Sequence, residues 1–171
     1  MVLWHVATAL FLFRWIFQDP KVDVRFLVVG ALVPDVVDLI TVSVFGSFAS
    51  GEIYAHSLIV PTVYLAAVLI LTRRGRNRRA WVALGVGWLF HLLVDAMWTN
   101  QAIFFWPFFG WEMPTSAEPF WPAAVERAFS DPLRWILEAV GIAYLIYVWR
   151  AADLNEADTR RQLLRDGRIP R

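Results

Sequence analysis

The sequence predicts an all-α, polytopic membrane protein: a helix bundle of about five spans with an irregular external segment rich in aromatic residues and proline. Hydrophobic residues make up 58% of the 171 residues and charged residues 18%, whereas a soluble domain averages about 45–50% and about 25%. The apolar residues form five long runs, and most cationic residues lie between or after them. The length suggests one domain, which we place at residues 1–150, followed by a charged cytoplasmic tail at residues 151–171.

The five apolar runs are each predicted to span the membrane. A span needs roughly 20 residues, with about 17 as the lower limit, so the first run is marginal. It lacks the basic region and cleavage site of a signal peptide, and we expect it to remain in the mature protein. The runs comprise residues 2–17, 26–48, 53–72, 80–98 and 132–149.

Proline interrupts two parts of this pattern. Pro34 lies in the middle of the second run, where a proline removes a helical hydrogen bond, so we expect a break there. Residues 99–131 contain too many prolines for a regular helix across the membrane. The tail after residue 149 is charged and is predicted to be helical.

The distribution of charge predicts the orientation. Five Arg lie within residues 73–79, and short basic loops remain in the cytoplasm. Counting spans from this loop places the turn with Lys21 and Arg25 inside as well, together with the C-terminal tail. The N-terminus and residues 99–131 then fall outside. We therefore expect a multi-pass protein of the bacterial plasma (inner) membrane with a cytoplasmic C-terminus.

His91 and Asp95 are the most informative polar pair. They lie four residues apart within the fourth apolar run, which places both on one face of a helix, one turn apart. An imidazole and a carboxylate so placed can bind one metal ion. The chain has no cysteine, so a metal site must use His, Asp and Glu. The remaining candidate ligands are His5, Asp35, Asp38 and His56.

The three acids need a counter-charge in the membrane. A carboxylate at the centre of a spanning helix costs about 2.5–3.5 kcal/mol on insertion scales, so Asp35, Asp38 and Asp95 together cost on the order of 9 kcal/mol if unpaired. No Lys lies in a predicted span, and Arg14 is the only Arg well inside one. A bound divalent ion supplies the charge, and on the predicted topology all six residues lie at mid-membrane or in its outer half.

Several alternatives remain open for these residues. His91 and Asp95 could share a hydrogen bond without a metal, and an ion-free polar network would use the same side chains. With a metal, either two ions share a bridging carboxylate, or one ion is bound and the other acids orient its imidazoles. Glu138 lies about 9 Å into the fifth span by helix rise; it could be a further ligand, a general base, or an acid hydrogen-bonded to Trp or Tyr.

The order of these motifs resembles that of the YdjM-like inner-membrane metal-dependent hydrolase family, which is LexA-regulated in some bacteria. The motifs are an N-terminal His, Pro-Asp-x-x-Asp at residues 34–38, His-Ser at residues 56–57, His-x-x-x-Asp at residues 91–95 and Trp-Pro at residues 106–107. The resemblance implies metal-site roles for His5, Asp35, Asp38, His56, His91 and Asp95, and its motifs are similar to those of helical zinc-dependent phospholipases C. Many members carry Pro-Asp-x-Asp instead, which leaves open whether Asp35 and Asp38 bind one ion together.

The preferred hypothesis for function is a membrane-bound metal-dependent hydrolase. A water activated by zinc, or by manganese, would attack a phosphoester-type bond, with Asp35, Asp38 or Glu138 orienting or deprotonating that water. A site near the outer surface favours a lipid or lipid-linked substrate. No nucleic acid partner is expected, and the oligomeric state is undetermined. The alternative is an ion or proton transport protein that uses the intramembrane His/Asp cluster as a relay.

Overall fold

Helices make up the regular secondary structure of the molecule. The computed structural model describes residues 1–45, 51–115 and 120–169, and within these ranges it confirms the predicted all-helical class. In chain order the helices are α1 (Val2–Ile16), α2 (Val24–Phe45), α3 (Ile59–Leu71), α4 (Arg76–Val94), α5 (Gln101–Phe104), α6 (Phe120–Ser130), α7 (Pro132–Ala151) and α8 (Ala157–Asp166). Single turns of 3-10 helix, Tyr54–His56 and Met97–Thr99, precede α3 and α5.

The helices that match the predicted spans differ in length. By length and composition, α2 and α7 are able to cross a membrane, whereas α1 and α3 are apolar but shorter. Helix α7 leaves apolar side chains such as Ile136 and Val140 at least half exposed, which is typical of a helix that faces lipid. Crossing by all five segments, with the orientation derived from charge, stays a prediction.

Helices α2 and α4 are in close contact at the centre of the bundle. They run parallel, since Phe26 contacts Trp81 near their starts and Ala31 contacts His91 further along. A Cβ atom added to Gly30 would lie 1.9 Å from the carbonyl oxygen of Leu84, and one added to Gly87 would lie 2.2 Å from that of Leu27. These glycines therefore allow the two backbones to touch, as small residues do between membrane helices. This crossing determines which groups of α2 can reach His91 on α4.

The outer helices pack onto this central pair. Helix α1 runs alongside α7 in the same direction, because a Cβ on Gly141 would meet Leu3 and Trp4 while Phe11 contacts the ring of Tyr144 further along. Helix α3 runs antiparallel to α4 and touches it through a hydrogen bond from the Tyr64 hydroxyl to the carbonyl of Trp81.

Helix α2 continues through Pro34 without the break expected from the sequence. Proline removes one backbone donor and crowds the preceding turn, yet such prolines are tolerated in membrane helices where neighbours satisfy the freed groups. The carbonyl of Ala31, three residues before Pro34, here accepts a hydrogen bond from His91 Nδ1 at 2.7 Å. The carbonyl that loses its helical donor to Pro34 is that of Gly30. The His91 hydrogen bond goes to the next carbonyl, so it links α4 to the turn before the proline without replacing the lost bond.

The helix of the third run begins later than predicted, and that of the fourth run ends earlier. Residues 53–58 contain the 3-10 turn Tyr54–His56 and do not form the start of a continuous helix, because the backbone N–H groups of Ile53 and Ala55 donate to Asp38. Helix α4 ends at Val94, with Asp95 as its C-cap and Ala96 in the left-handed region at φ 51°. Asp95 thus lies at a helix terminus and not inside a helix.

Residues 99–131 and the C-terminal tail both contain helices. Residues 99–131, expected to be irregular, contain α5 and α6, and residues 116–119 lie outside the described residues, as do residues 46–50 at the predicted end of the second run. The predicted helical tail is confirmed as α8. It is attached to the bundle, since the backbone N–H of Val24 donates to the carbonyl of Gly167 at 2.7 Å.

We expect Gly30→Ala and Gly87→Ala each to destabilise the protein, because the added methyl group would overlap a backbone carbonyl at the α2–α4 crossing. Overpacking of this kind costs about 1–3 kcal/mol. Thermal unfolding in detergent, followed by tryptophan fluorescence, would measure the loss. Ala66→Ser, on an exposed part of α3, is the control, and an unchanged unfolding temperature in Gly30→Ala would contradict the close crossing.

Candidate metal centre

Four side chains converge to form a candidate cation site. One ligand atom each from Asp35, His56, His91 and Asp95 lies within 4.8 Å of the other three. The Nε2 atoms of His56 and His91 are 3.0 Å apart, and Asp95 Oδ2 is 3.0 Å from His91 Nε2. Asp35 Oδ1 lies 3.5 Å from His91 Nε2 and 3.6 Å from His56 Nε2. Residues from α2, the 3-10 turn and the end of α4 therefore meet at one point.

The hydrogen bond of His91 determines where its lone pair points. Its Nδ1 lies 2.7 Å from the carbonyl oxygen of Ala31, and because a carbonyl can only accept, Nδ1 carries the hydrogen and donates. In the neutral ring, Nε2 then holds a lone pair. That lone pair faces His56, Asp35 and Asp95.

His56 is oriented in the same way by Asp38. The Asp38 carboxylate accepts from His56 Nδ1 at 2.7 Å, and also from the backbone N–H groups of Ile53 at 2.7 Å and Ala55 at 2.9 Å. Within the described residues, these donors to Asp38 all lie on the 53–56 segment, and the side chain is fully buried. With Nδ1 donating, His56 Nε2 also directs a lone pair into the site. Asp38 thus lies behind an imidazole and fixes its ring, as carboxylates beside metal-binding histidines do.

Two facing lone pairs 3.0 Å apart repel each other unless a cation lies between them. The neighbouring groups add negative charge, since Asp35 and Asp95 approach the same two nitrogens. In the described part of the chain, the ion pairs of these acids are formed with histidines and not with Lys or Arg. The arrangement is therefore suited to a metal ion, or to a proton shared between the rings.

His5 completes the cluster from helix α1. Its ring stacks on that of His91 with centroids 4.2 Å apart, and its Nε2 is 2.8 Å from Asp95 Oδ1. Its Nδ1 contacts the carbonyl oxygen of Met1. His5 therefore binds the second oxygen of Asp95, whose first oxygen faces His91. This placement makes His5 either a further ligand or the residue that fixes Asp95.

The cluster is closed on one side and open on the other. His5, His56 and His91 are at most 2% exposed, and the side chain of Asp95 is 13% exposed. The side chain of Asp35 is 40% exposed. A molecule entering the site from outside therefore meets Asp35 first.

The structure does not bring Glu138 into the four-residue group. Its Oε2 accepts hydrogen bonds from the backbone N–H groups of Leu3 at 3.0 Å and Trp4 at 3.3 Å. A carboxylate at the first turn of a helix satisfies free donors and faces the positive end of the helix dipole. Glu138 thus anchors the N-terminus of α1, which carries His5.

Four of the six predicted metal-site residues, Asp35, His56, His91 and Asp95, converge on one point. His5 contacts two of these four, and Asp38 lies behind His56. The carbonyls of Ala31 and Met1 were not predicted, although they set the orientation of two imidazoles. The identity of a residue does not show which side chain its backbone carbonyl will bind.

A sequence model of the YdjM inner membrane protein family matches residues 1–157 of the chain. No curated protein and no solved structure matches it. The match covers every residue of the cluster.

We expect the protein purified from cells to bind about one divalent ion per chain, because the cluster offers one group of four ligands. His56→Ala and His91→Ala should each abolish this binding by removing a ligand. Elemental analysis by mass spectrometry gives the metal content. Asp131→Asn, an exposed N-cap of α7, should retain the ion, and a metal-free wild-type protein that cannot be reloaded would contradict the site.

Asp38→Asn should weaken metal binding by about 10- to 100-fold, the usual effect of removing a residue that orients a ligand. Asparagine keeps only one acceptor oxygen and no charge, so at least one of the three donors to Asp38 loses its partner and the hold on the His56 ring weakens. Competition with a chelator of known affinity would measure the change. If Asp38→Asn binds the ion as tightly as the wild type, Asp38 does not act through His56.

Proposed function

The chain belongs to the YdjM inner membrane protein family, and from this premise we propose that it is a membrane-bound metal-dependent hydrolase. The observation that supports the proposal most directly is the convergence of two imidazole lone pairs and two carboxylates within 4.8 Å. His, Asp and Glu are the ligands of catalytic zinc sites in proteins without ligating cysteine. Manganese is the second candidate, because it accepts the same nitrogen and oxygen ligands.

The spacing of the ligand atoms fits a tetrahedral ion. Zinc–nitrogen and zinc–oxygen distances are about 2.0–2.2 Å, which places tetrahedral ligands about 3.3–3.6 Å from one another. The separations within the group include 3.0, 3.5, 3.6 and 3.8 Å. Asp35, His56, His91 and Asp95 would hold the ion, and small movements of the side chains would regularise the site.

When bound, such an ion lowers the pKa of a coordinated water and polarises a phosphoryl oxygen. The protein residues then have separate tasks. Asp35, on the open side, can orient the attacking water or accept its proton. Asp38 keeps the His56 lone pair directed inward, and His5 holds Asp95 by its outer oxygen. A phosphoester-type bond is the substrate that this combination suits best.

A lipid or lipid-linked substrate fits the surroundings of the open side. The residues that follow Asp35 on α2 include Val36 and Ile40, both more than half exposed. Trp98, just beyond Asp95, is 47% exposed, and tryptophan is enriched where protein meets the membrane interface. A phosphate group at the interface would thus reach Asp35 sideways, without leaving the lipid layer.

The transport alternative has less support. A relay needs polar groups from one face of the membrane to the other. Beside the cluster, towards the turn between α1 and α2, the buried residues include Ala9, Leu27 and Phe90. An apolar layer of this kind favours a reaction at one surface over transfer across the bundle.

We expect His91→Ala and Asp95→Asn to lose metal-dependent release of phosphate or of a phosphorylated headgroup from phospholipids in mixed micelles, because each variant lacks a ligand. Phosphatidic acid and phosphatidylglycerol, with zinc or manganese added in turn, are suitable first substrates. Phosphate assay and mass spectrometry of the lipids would detect the products.

Asp131→Asn serves as the matched control, since it removes a carboxylate far from the cluster in sequence and should retain activity. Hydrolysis that persists in both cluster variants, or that is unaffected by a chelator, would rule out the proposed site. Proton or cation flux into vesicles without any hydrolysis would favour transport instead.

A further inference from the structure

A cavity separate from the metal centre lies where α1 ends and α2 begins. Its volume is about 290 Å³, room for roughly ten water molecules at about 30 Å³ each. Leu10 and Phe13 form an apolar wall, whereas Arg14, Gln18 and Asp19 contribute polar groups. Ile169, from the C-terminal segment, closes it on another side. The cavity therefore combines an apolar wall with one cationic group.

Arg14 is the cationic residue that lines this cavity. It is half-buried near the end of an apolar helix, and no hydrogen bond or ion pair joins it to another residue in the ranges that the structure describes. The nearby carboxylate of Asp19 accepts from the backbone N–H of Lys21 at 2.9 Å and is not paired with Arg14. An arginine of this kind extends towards phosphate groups at a membrane surface.

The C-terminal segment is held in place as a wall of the cavity. Arg25 Nη1 donates to the carbonyl of Leu164 at 2.5 Å, in addition to the Val24–Gly167 hydrogen bond. Gly167 has φ +67°, and a Cβ there would meet the Asp23 carboxylate at 1.8 Å. The segment is thus fitted closely to the start of α2, and Ile169 is carried to the cavity by these contacts.

This end of the bundle carries the positive charge of the protein. Every Lys and Arg except Arg127 and Arg134 lies in residues 14–25, 73–79 or 150–171. Helices α2 and α4 begin here and α1 and α7 end here, so these segments share one end. The acids among them are Asp19, Asp23, Asp153, Glu156, Asp158 and Asp166, fewer than half the number of cations. Such a surface attracts anionic lipids.

We propose that this cavity binds the headgroup of an anionic phospholipid, with the Arg14 guanidinium contacting the phosphate. The apolar surroundings favour a lipid over a free anion, because Leu10 and Phe13 line the cavity. At the same end of the bundle, near the ends of α1 and α7, Trp15 and Tyr147 are 68% and 63% exposed. Aromatic side chains in this setting are typical of the membrane interface. By the positive-inside rule the lipid belongs to the cytoplasmic leaflet.

The site is separate from the metal centre. Arg14 lies nine residues beyond His5 on α1, a distance of about 14 Å by helix rise. Its function does not depend on hydrolysis, and the test needs neither metal nor turnover.

The test measures lipid binding by native mass spectrometry of the full-length protein in detergent. Phosphatidylglycerol and phosphatidylcholine with identical acyl chains are titrated onto the wild type, Arg14→Gln, Arg14→Lys and the control Arg161→Gln, whose side chain is 82% exposed on α8. The wild type and Arg161→Gln should prefer phosphatidylglycerol by about 10- to 100-fold, the effect of one charge-assisted hydrogen bond. Arg14→Gln should lose this preference with phosphatidylcholine binding unchanged, and Arg14→Lys should be intermediate because it lacks the planar fork.

Three results would overturn the proposal. One is equal binding of the two lipids by the wild type, and another is full preference in Arg14→Gln. The third is displacement of phosphatidylglycerol by equimolar inorganic phosphate, which would identify a site for free phosphate instead.

If Arg14→Gln does not fold, photo-crosslinking of the wild type with a diazirine-labelled phosphatidylglycerol decides the question. Adducts should concentrate on residues 10–24. An even distribution over the exposed faces of α3 and α7 would also overturn the proposal.

Discussion

The facing imidazole nitrogens of His56 and His91, 3.0 Å apart, impose the constraint on which the site depends. Each ring is fixed from behind by a group that accepts a hydrogen bond, a carbonyl for His91 and a carboxylate for His56. Neither ring can therefore turn its N–H inward without losing a buried hydrogen bond, which is worth about 1 kcal/mol. The surrounding structure thus maintains an arrangement that is unfavourable without a cation.

This constraint is maintained by backbone packing. The glycines of the α2–α4 crossing bring the carbonyl of Ala31 within reach of His91 Nδ1. Asp38 lies one turn further along α2 than Pro34. Its carboxylate accepts hydrogen bonds from the 53–56 segment, in place of the helical hydrogen bonds that this segment lacks. A single helix, α2, therefore organises both imidazoles and also supplies Asp35.

The two ends of the bundle differ in chemistry. One end buries histidines and acids, and the other is bordered by arginines and by the attached C-terminal segment. Between them lie apolar residues such as Leu27 and Phe90. The predicted orientation would place the cationic end in the cytoplasm and the His/Asp end on the outer side.

The sequence by itself determined the helical class, the approximate limits of the five long apolar segments and the set of chemically significant residues. Those properties are local: hydrophobic runs, a four-residue spacing and the cost of acids in an apolar segment. Only the tertiary structure decided that Asp38 stands behind His56, that Glu138 anchors α1 and that Asp95 ends a helix. Those roles depend on which backbone groups face each side chain across a helix crossing, and residue identity at one position carries no information about a carbonyl 60 residues away.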